Sequence, residues 1–276
     1  MSIPDFIKPF LKSTVMTLIP RQYWRRRFRA LTRTCHEPEL RLVPYLCDSG
    51  KTSVDIGASW GLFSAHMCQA SRDVFAFEPR PRQAAELAAM FASLELPVRV
   101  EAVALSALAG TAQMRMLVDD LGRSTIEAEN ALEDEDGSAR AQVTVNVRRL
   151  DDYALNDVAF IKLDVEGHEV SVLEGARDTI VKNRPVLLVE SEDRHRRNAV
   201  ADVTALMQEL GYTGFFLQGE TLHGMNEFKL GTHQDPRNIG GWKSGWERRG
   251  IYVNNFFFVP VGREFEIEEA AQKARK

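Results

Sequence analysis

Four acidic residues close apolar runs in this chain of 276 residues: Asp55 after Ser53-Val54, Glu78 after Val74-Phe75-Ala76-Phe77, Asp164 after Phe160-Ile161-Lys162-Leu163, and Glu190 after Val186-Leu187-Leu188-Val189. A carboxylate at a strand end can accept hydrogen bonds from both hydroxyls of a ribose, and Glu78, fixed from behind by Pro79, has that role. Behind the first acid runs the loop Asp55-Ile56-Gly57-Ala58-Ser59-Trp60-Gly61. Its spacing is D-x-G-x-x-x-G, whereas dinucleotide loops read G-x-G-x-x-G and offer backbone N–H groups to a pyrophosphate. Asp55 would repel a phosphate. A nucleoside with a cationic end fits better, and S-adenosylmethionine (AdoMet), with its ammonium and sulfonium charges, is such a ligand. The residues expected around it are Asp55, Gly57, Ala58, Ser59, Gly61, Phe77, Glu78, Pro79, Ala104 and Asp164. Gly57 and Gly61 are expected to let the backbone approach the ligand where a Cβ would obstruct it.

The second group is Asp164-Val165-Glu166-Gly167-His168-Glu169. His168 is the first choice of general base, because an imidazole titrates close to neutral pH. Asp164 or Glu166 could orient it or take its place. Glu169, at the start of the next helix, has an ordinary role in the helix dipole. A competing route uses metal, since Asp164 and Glu190 supply the oxygen ligands that Mg²⁺ or another divalent ion prefers. An acceptor pocket is expected after the sixth strand from His223, Asn226, His233 and Trp242, with Lys229, Asp235 and Trp246 nearby. Aromatic faces beside hydrogen-bonding side chains suit a carbohydrate; the alternative is a loop whose tryptophans cover the sheet.

Such residues need a scaffold that brings strand ends to one edge. From Thr52 onward, apolar runs alternate with helix-forming stretches, which argues for an α/β fold with a parallel sheet. Strands are expected at 52–56, 73–77, 98–105, 110–118, 142–147, 159–165, 186–189, 214–217 and 252–259. Helices are expected at 62–70, 82–94, 169–182 and 199–210. In an open parallel sheet the ligand crevice lies at the carboxyl ends of the strands, where all four acids fall. The reading divides the chain into a basic helical extension (1–45), the α/β domain (46–260) and a charged, solvated tail (261–276). The acidic stretch Glu127 to Asp136 reads as a mobile loop or as a lid that orders over the site.

Composition narrows the partners. A net charge of −4 gives no reason to expect nucleic acid, whose binders are usually basic. Cys35, Cys47 and Cys68 show no C-x-x-C spacing, so a reducing cytoplasm is the default. No run approaches the roughly 20 apolar residues that span a bilayer, and Phe6 to Ile19 lacks the cleavage site of a signal peptide. Arg21-Gln22-Tyr23-Trp24-Arg25-Arg26-Arg27-Phe28-Arg29 reads in three ways. It is a surface helix that packs its aromatics, an arm on the inner face of a membrane or on a glycolipid, or, least in keeping with the rest of the chain, a contact for nucleic acid. A homodimer is compatible with all three.

Taken together, D-I-G-A-S-W-G, A-F-E-P-R-P, L-D-D-Y, F-I-K-L-D-V-E-G-H-E-V-x-V-L-E-G-A and R-P-V-L-L-V-E resemble the FkbM family of AdoMet-dependent methyltransferases. The resemblance runs from about Ser53 to Pro260 and includes Asn254-Asn255-Phe256-Phe257-Phe258-Val259-Pro260. It implies a class I methyltransferase, Rossmann-like fold: a seven-stranded, mostly parallel sheet with helices on both faces and the last strand antiparallel. It also implies methylation of a hydroxyl on a sugar, a glycan or glycolipid, or a secondary metabolite. Ser59 stands where the family usually has Asn, and serine can still donate and accept a hydrogen bond. Two rival readings are a non-catalytic AdoMet-binding protein and a methyltransferase for nucleic acid or protein. A nucleic-acid enzyme would be expected to end its fourth strand in an N/D-P-P-[YF] motif, and this strand ends in D-V-E-G.

Overall fold

Tyr23, Trp24, Phe28 and Leu31 recur at helical spacing within the arginine-rich segment, so one apolar stripe faces inward. The computed structural model describes residues 20–33, 37–117, 124–130, 132, 140–239 and 249–275. Helix α1 (Pro20–Arg33) buries Trp24 to 2% exposure and leaves Arg25, Arg26, Arg29 and Arg33 on the outside. The aromatics that a membrane interface would need are therefore spent on packing, which favours the surface-helix reading of this arm.

A 3₁₀ turn (Pro38–Arg41) and α2 (Val43–Leu46) lead into β1 (Thr52–Ile56), α3 (Leu62–Met67), β2 (Asp73–Phe77), α4 (Pro81–Ser93) and β3 (Val98–Glu101). Next come β4 (Ala104–Leu105), β5 (Gly110–Leu117), β6 (Ser124–Thr125) and β7 (Arg140–Arg148). The α/β alternation resumes with β8 (Val158–Leu163), α5 (Glu169–Glu174), α6 (Arg177–Asn183), β9 (Val186–Glu190) and α7 (Ala199–Glu209). The chain then forms β10 (Tyr212–Gln218), β11 (Thr221–Gly224), α8 (Leu230–His233), β12 (Asn255–Pro260) and α9 (Phe265–Ala274).

The main sheet has the order β11-β10-β12-β9-β8-β1-β2-β3. Strands β3, β2, β1, β8 and β9 are parallel, and β12 runs antiparallel between β9 and β10. This is the class I methyltransferase arrangement with one strand more than the seven expected. The extra strand is β11, which Gly219, at φ +63°, allows to fold back on β10. Helices α5 to α7 cover one face through Val172, Leu173, Ile180, Val203 and Leu206. Helices α1 to α4 and α9 cover the other through Trp24, Val43, Met67, Leu87, Phe91 and Ile267.

Three expectations are corrected. The strand 98–105 is two strands: the chain leaves the edge at Ala102–Val103, and Ala104 pairs with Val147 in a second, four-stranded sheet ordered β4-β7-β5-β6. The helix 169–182 breaks at Gly175, where the Ser106 carbonyl oxygen passes so close that a Cβ would stand 2.1 Å from it. The tail is amphipathic rather than solvated, since α9 buries Ile267, Ala270 and Ala271 against the core that also holds Leu40, Leu42 and Leu46. Packing runs without interruption across residues 46 and 260. Among the described residues, no helix is long and apolar enough to cross a membrane.

Candidate active site

The carboxyl ends of β1, β2, β8 and β9 and the start of β12 surround a cavity of about 620 Å³. That is within the range of about 300–1,000 Å³ in which small-molecule sites fall. Of the residues expected around the cofactor, Gly57, Ser59, Phe77, Glu78, Pro79, Ala104 and Asp164 reach its wall. Asp55, Ala58 and Gly61 do not. Asp55 is 2% exposed and accepts a hydrogen bond from Ser64 Oγ at 2.5 Å, so it anchors α3 instead of meeting a ligand. Burial raises its carboxyl to about 6. The glycines likewise serve the chain itself. A Cβ on Gly57 (φ +80°) would stand 1.8 Å from the Asp164 carbonyl oxygen, and one on Gly61 (φ +84°) 2.6 Å from Leu87 Cδ2. Trp60 packs on the extension: the Arg27 guanidinium lies 5.4 Å from its ring and 5.5 Å from that of Trp24.

Glu78 is 1% exposed and fully engaged. Its Oε1 accepts from Arg80 N and Nε, at 2.9 and 2.7 Å, and its Oε2 from Ser59 N and Arg80 Nη2, at 2.8 and 2.9 Å. Four bonds use the roughly four acceptor sites of a carboxylate. Arg80, quoted in the A-F-E-P-R-P motif but given no role, is therefore the missed partner at this end. Its Nη1 is buried at the cavity wall and has no hydrogen-bond partner among the described residues. A buried orphan donor is costly unless something accepts from it, and a ribose hydroxyl, which both donates and accepts, meets that need. The residues at this end thus fit a nucleoside.

At the other end stand Asp164, Glu166, His168, Glu190, Glu192, Arg194, Tyr252 and Asn254. Among the described residues no hydrogen bond or ion pair reaches the Asp164 carboxylate. Glu166 does not orient His168: its carboxylate pairs with His195 Nε2 at 2.9 Å. His168 is held by two residues that sequence reading missed, with Glu127 Oε2 3.0 Å from Nδ1 and Ser106 Oγ 2.9 Å from Nε2. Glu127 lay inside the acidic stretch read as a loop or lid. Between Asp164 and Glu190 the cation is a lysine. Lys162, 1% exposed, reaches Glu190 Oε2 at 3.6 Å and Asn255 Oδ1 at 3.2 Å. Burial acts to lower its pKa, but Asp164 and Glu190 outweigh it and the net shift is upward. Among the described residues no three His, Cys, Asp or Glu side chains gather as a metal would require, so the geometry does not support the expected metal pair Asp164 and Glu190.

The acceptor residues read from the sixth strand onward are displaced from the cavity. His223 stacks on Phe216 and pairs with Glu227, and Asn226 follows on the same hairpin, away from the cavity wall. His233 stacks on Phe228 and accepts from Lys229 N. Their polar spacing reflects the β10–β11 hairpin and its cover. Trp242 and Trp246 lie outside the described residues. Residues of this region that do line the cavity are Ile239, Tyr252, Asn254 and Asn255.

Buried charge makes the site sensitive to pH. Burial raises Glu190 to about 8, with Asp164 adding to it, and raises Asp164 to about 6 and Glu169 to about 7. For His195 burial acts downward, but the Glu166 carboxylate overrides it and the ring is raised to about 9. A group whose folded pKa exceeds its unfolded value stabilises fully below the unfolded value and loses that contribution as pH rises through the folded one. For Glu190 the loss runs from 4.5 to about 8, and for His195 from 6.5 to about 9. The melting temperature is therefore expected to fall between pH 6.5 and 9, and His195→Gln to flatten the upper part of the fall. A melting temperature that holds or rises across this window would contradict the assignment.

Comparison with known proteins follows the same lines. The family model described as the methyltransferase FkbM domain matches residues 55–213, more than half of the chain. No curated protein matches. Among solved structures, methyltransferase FkbM from Methylobacillus flagellatus KT shares 18% identity over 89% of this chain, with a TM-score of 0.47. This chain spans 60% of that protein's length. The O-methyltransferase from Bacillus cereus in complex with SAH shares 11% identity over 90% of this chain and 95% of that one, with a TM-score of 0.44. Precorrin-6y C5,15-methyltransferase from Geobacter metallireducens GS-15 shares 14% over 80% of this chain and 87% of that one, with a TM-score of 0.43. From the strand-end acids through the turn that carries His168, the matched segment holds most of the site, and the chain belongs to the FkbM methyltransferase domain family.

Proposed function

We propose that this protein transfers a methyl group from AdoMet to a hydroxyl of a sugar, a glycan or glycolipid, or a secondary metabolite. The observation that carries the reading is one cavity lined both by Ser59, Glu78 and Arg80, whose donors and acceptors suit a ribose, and by His168, whose ring is the one imidazole on its wall among the described residues. AdoMet, when bound, supplies a methyl group on a positively charged sulfur. The Asp164 carboxylate, free of side-chain partners among the described residues, offers that charge a counter-ion in a buried setting. Because a sugar-type hydroxyl is a poor nucleophile at neutral pH, it needs a base within hydrogen-bond reach, and His168 is placed to take its proton. The cavity walls hold the two reactants in one orientation, which alone can lower the barrier by several kcal/mol. Tyr252, Asn254 and Asn255 line the same cavity, and the amide groups other than those bonded to Glu190 and Lys162, Asn254 Oδ1 and Asn255 Nδ2, are of the kind a polyol would bond.

Calorimetric titration with AdoMet tests the cofactor. The wild type should bind, and Arg80→Lys, which can still pair with Glu78 but lacks the Nη1 donor, should bind about tenfold more weakly or worse, since one hydrogen bond to a charged group contributes about 1.5–3 kcal/mol. Absence of binding heat and of any thermal shift with the wild type would remove AdoMet from the reading. A binding protein without activity would show the heat but form no methylated product with any hydroxyl compound.

A further inference from the structure

The turn that carries His168 is held from outside its own sheet. Thr125 Oγ1 and Asn130 Nδ2 both donate to the carbonyl oxygen of Glu166, at 2.9 and 2.7 Å. Glu166 itself sits at φ +53°, a left-handed conformation that costs a non-glycine residue free energy unless its surroundings hold it there. Between those two anchors Glu127 extends its carboxylate to His168 Nδ1. The Glu127 backbone is fixed in turn, since its carbonyl accepts from Arg115 of β5 and its N–H donates to Thr125 Oγ1 at 2.9 Å. On the other side of the ring Ser106 is fixed as firmly. Its N–H donates to the Arg148 carbonyl of β7 at 2.9 Å, and its own carbonyl is packed against Gly175. Both partners of the imidazole are thus carried by the second sheet and its connections, not by the sheet that carries the histidine.

The chemistry of the two partners sets the proton. An ionised carboxylate only accepts, so the nitrogen facing it must carry hydrogen. In a neutral imidazole the other nitrogen then holds the lone pair, and the tautomer is decided by that first hydrogen bond. A serine hydroxyl can donate to the lone pair and rotate away. We propose that Glu127 is a positioning residue that fixes His168 as the Nδ1–H tautomer, and that Ser106 occupies the Nε2 lone pair until an acceptor hydroxyl takes its place. This rests on His168 being the base. The acceptor O–H bond then breaks, its proton forms a bond to Nε2, and the electron pair left on oxygen bonds the methyl carbon while the sulfur keeps the pair of the broken S–C bond. The resulting imidazolium has two N–H donors, and Glu127 already faces one of them. The second sheet is in this view part of the acid–base machinery, because without it the ring has neither a defined tautomer nor a defined direction.

The tautomer itself is read without an acceptor. The full-length chain, labelled with ¹⁵N in its six histidines, is measured by long-range ¹H–¹⁵N correlation at alkaline pH, and the His168 signals are assigned by their loss in His168→Ala. The expected wild-type pattern has a protonated Nδ1 and a lone pair on Nε2. Glu127→Ala should move half or more of the population to the Nε2–H form, whereas Glu127→Gln, whose amide oxygen still accepts from Nδ1–H, should keep the wild-type form. Ser106→Ala should keep the tautomer and shift only the Nε2 resonance. A wild-type ring protonated on Nε2, or a Glu127→Ala spectrum identical to the wild type, overturns the proposal. The first of these outcomes is decided without any variant at Glu127. If Glu127→Ala switches the tautomer while His168→Ala turns over like the wild type, the positioning stands and the choice of base falls.

Discussion

Replacing His168 by alanine is expected to lower the rate of methyl transfer by about 100-fold or more and to leave AdoMet affinity within about twofold. Positioned acid–base groups contribute roughly 10²–10⁴ to rate, and the low end applies where another group can partly substitute. Asp164 is that substitute here: it lines the same cavity, and burial raises its carboxyl to about 6. The proposed cofactor end, Ser59, Glu78 and Arg80, is bonded within itself and not to the imidazole, so binding and turnover should separate. Steady-state formation of S-adenosylhomocysteine, with any hydroxyl acceptor that the wild type methylates, gives the rate, and calorimetry gives the affinity. Turnover equal to the wild type would remove His168 from the reaction and pass the role to Asp164.

The second large effect concerns stability. Lys162→Met should cost about 3–5 kcal/mol, the usual penalty for stripping one partner from a buried ion pair. The side chain is enclosed, with its ammonium near Glu190, Asn255 and the ring of Phe63, and Asp55 is its direct neighbour across β1 and β8. Methionine fills a similar volume, so the loss would come from charge rather than from a cavity. That origin has a signature. The carboxyls left behind can escape by taking up protons, and Glu190 and Asp164 are already raised to about 8 and about 6. The penalty should therefore be smaller at pH 6 than at pH 8.5. Urea denaturation of both proteins at the two pH values measures it, and an equal penalty at both would show that packing, not charge, is what Lys162 provides.

The parts of the site that were legible in the sequence are those whose chemistry is local. Glu78 and Asp164 each stand directly behind a strand and His168 in the turn that follows Asp164, and the parallel sheet sends such positions to one edge. Illegible parts depend on chain segments that meet only after folding. Glu127 lies 41 residues before His168 and Ser106 lies 62 before it, each just past a short strand whose place in a second sheet has no local signal. The glycines mislead for another reason. A glycine beside a ligand and a glycine beside a crossing backbone have the same pattern, and only the Asp164 carbonyl next to Gly57 tells them apart. His223 and His233 mislead because polar and aromatic residues on a hairpin resemble a carbohydrate surface until their stacking partners, Phe216 and Phe228, are seen. For the fold, the central strand Val186–Glu190 is read directly from the unbroken apolar run Val186–Val189, and the additional β11 depends on a single turn at Gly219.

The contact between Gly57 and the Asp164 carbonyl joins the loop behind β1 to the turn behind β8, main chain against main chain. One absent methyl group thereby sets the separation between the loop proposed to hold the nucleoside and the turn that carries the proposed base. Side chains around the rim can be exchanged without altering that spacing. If the acceptor is the proposed hydroxyl compound, a change in the lining alone would change which one is taken, and the alignment of donor and base would be kept.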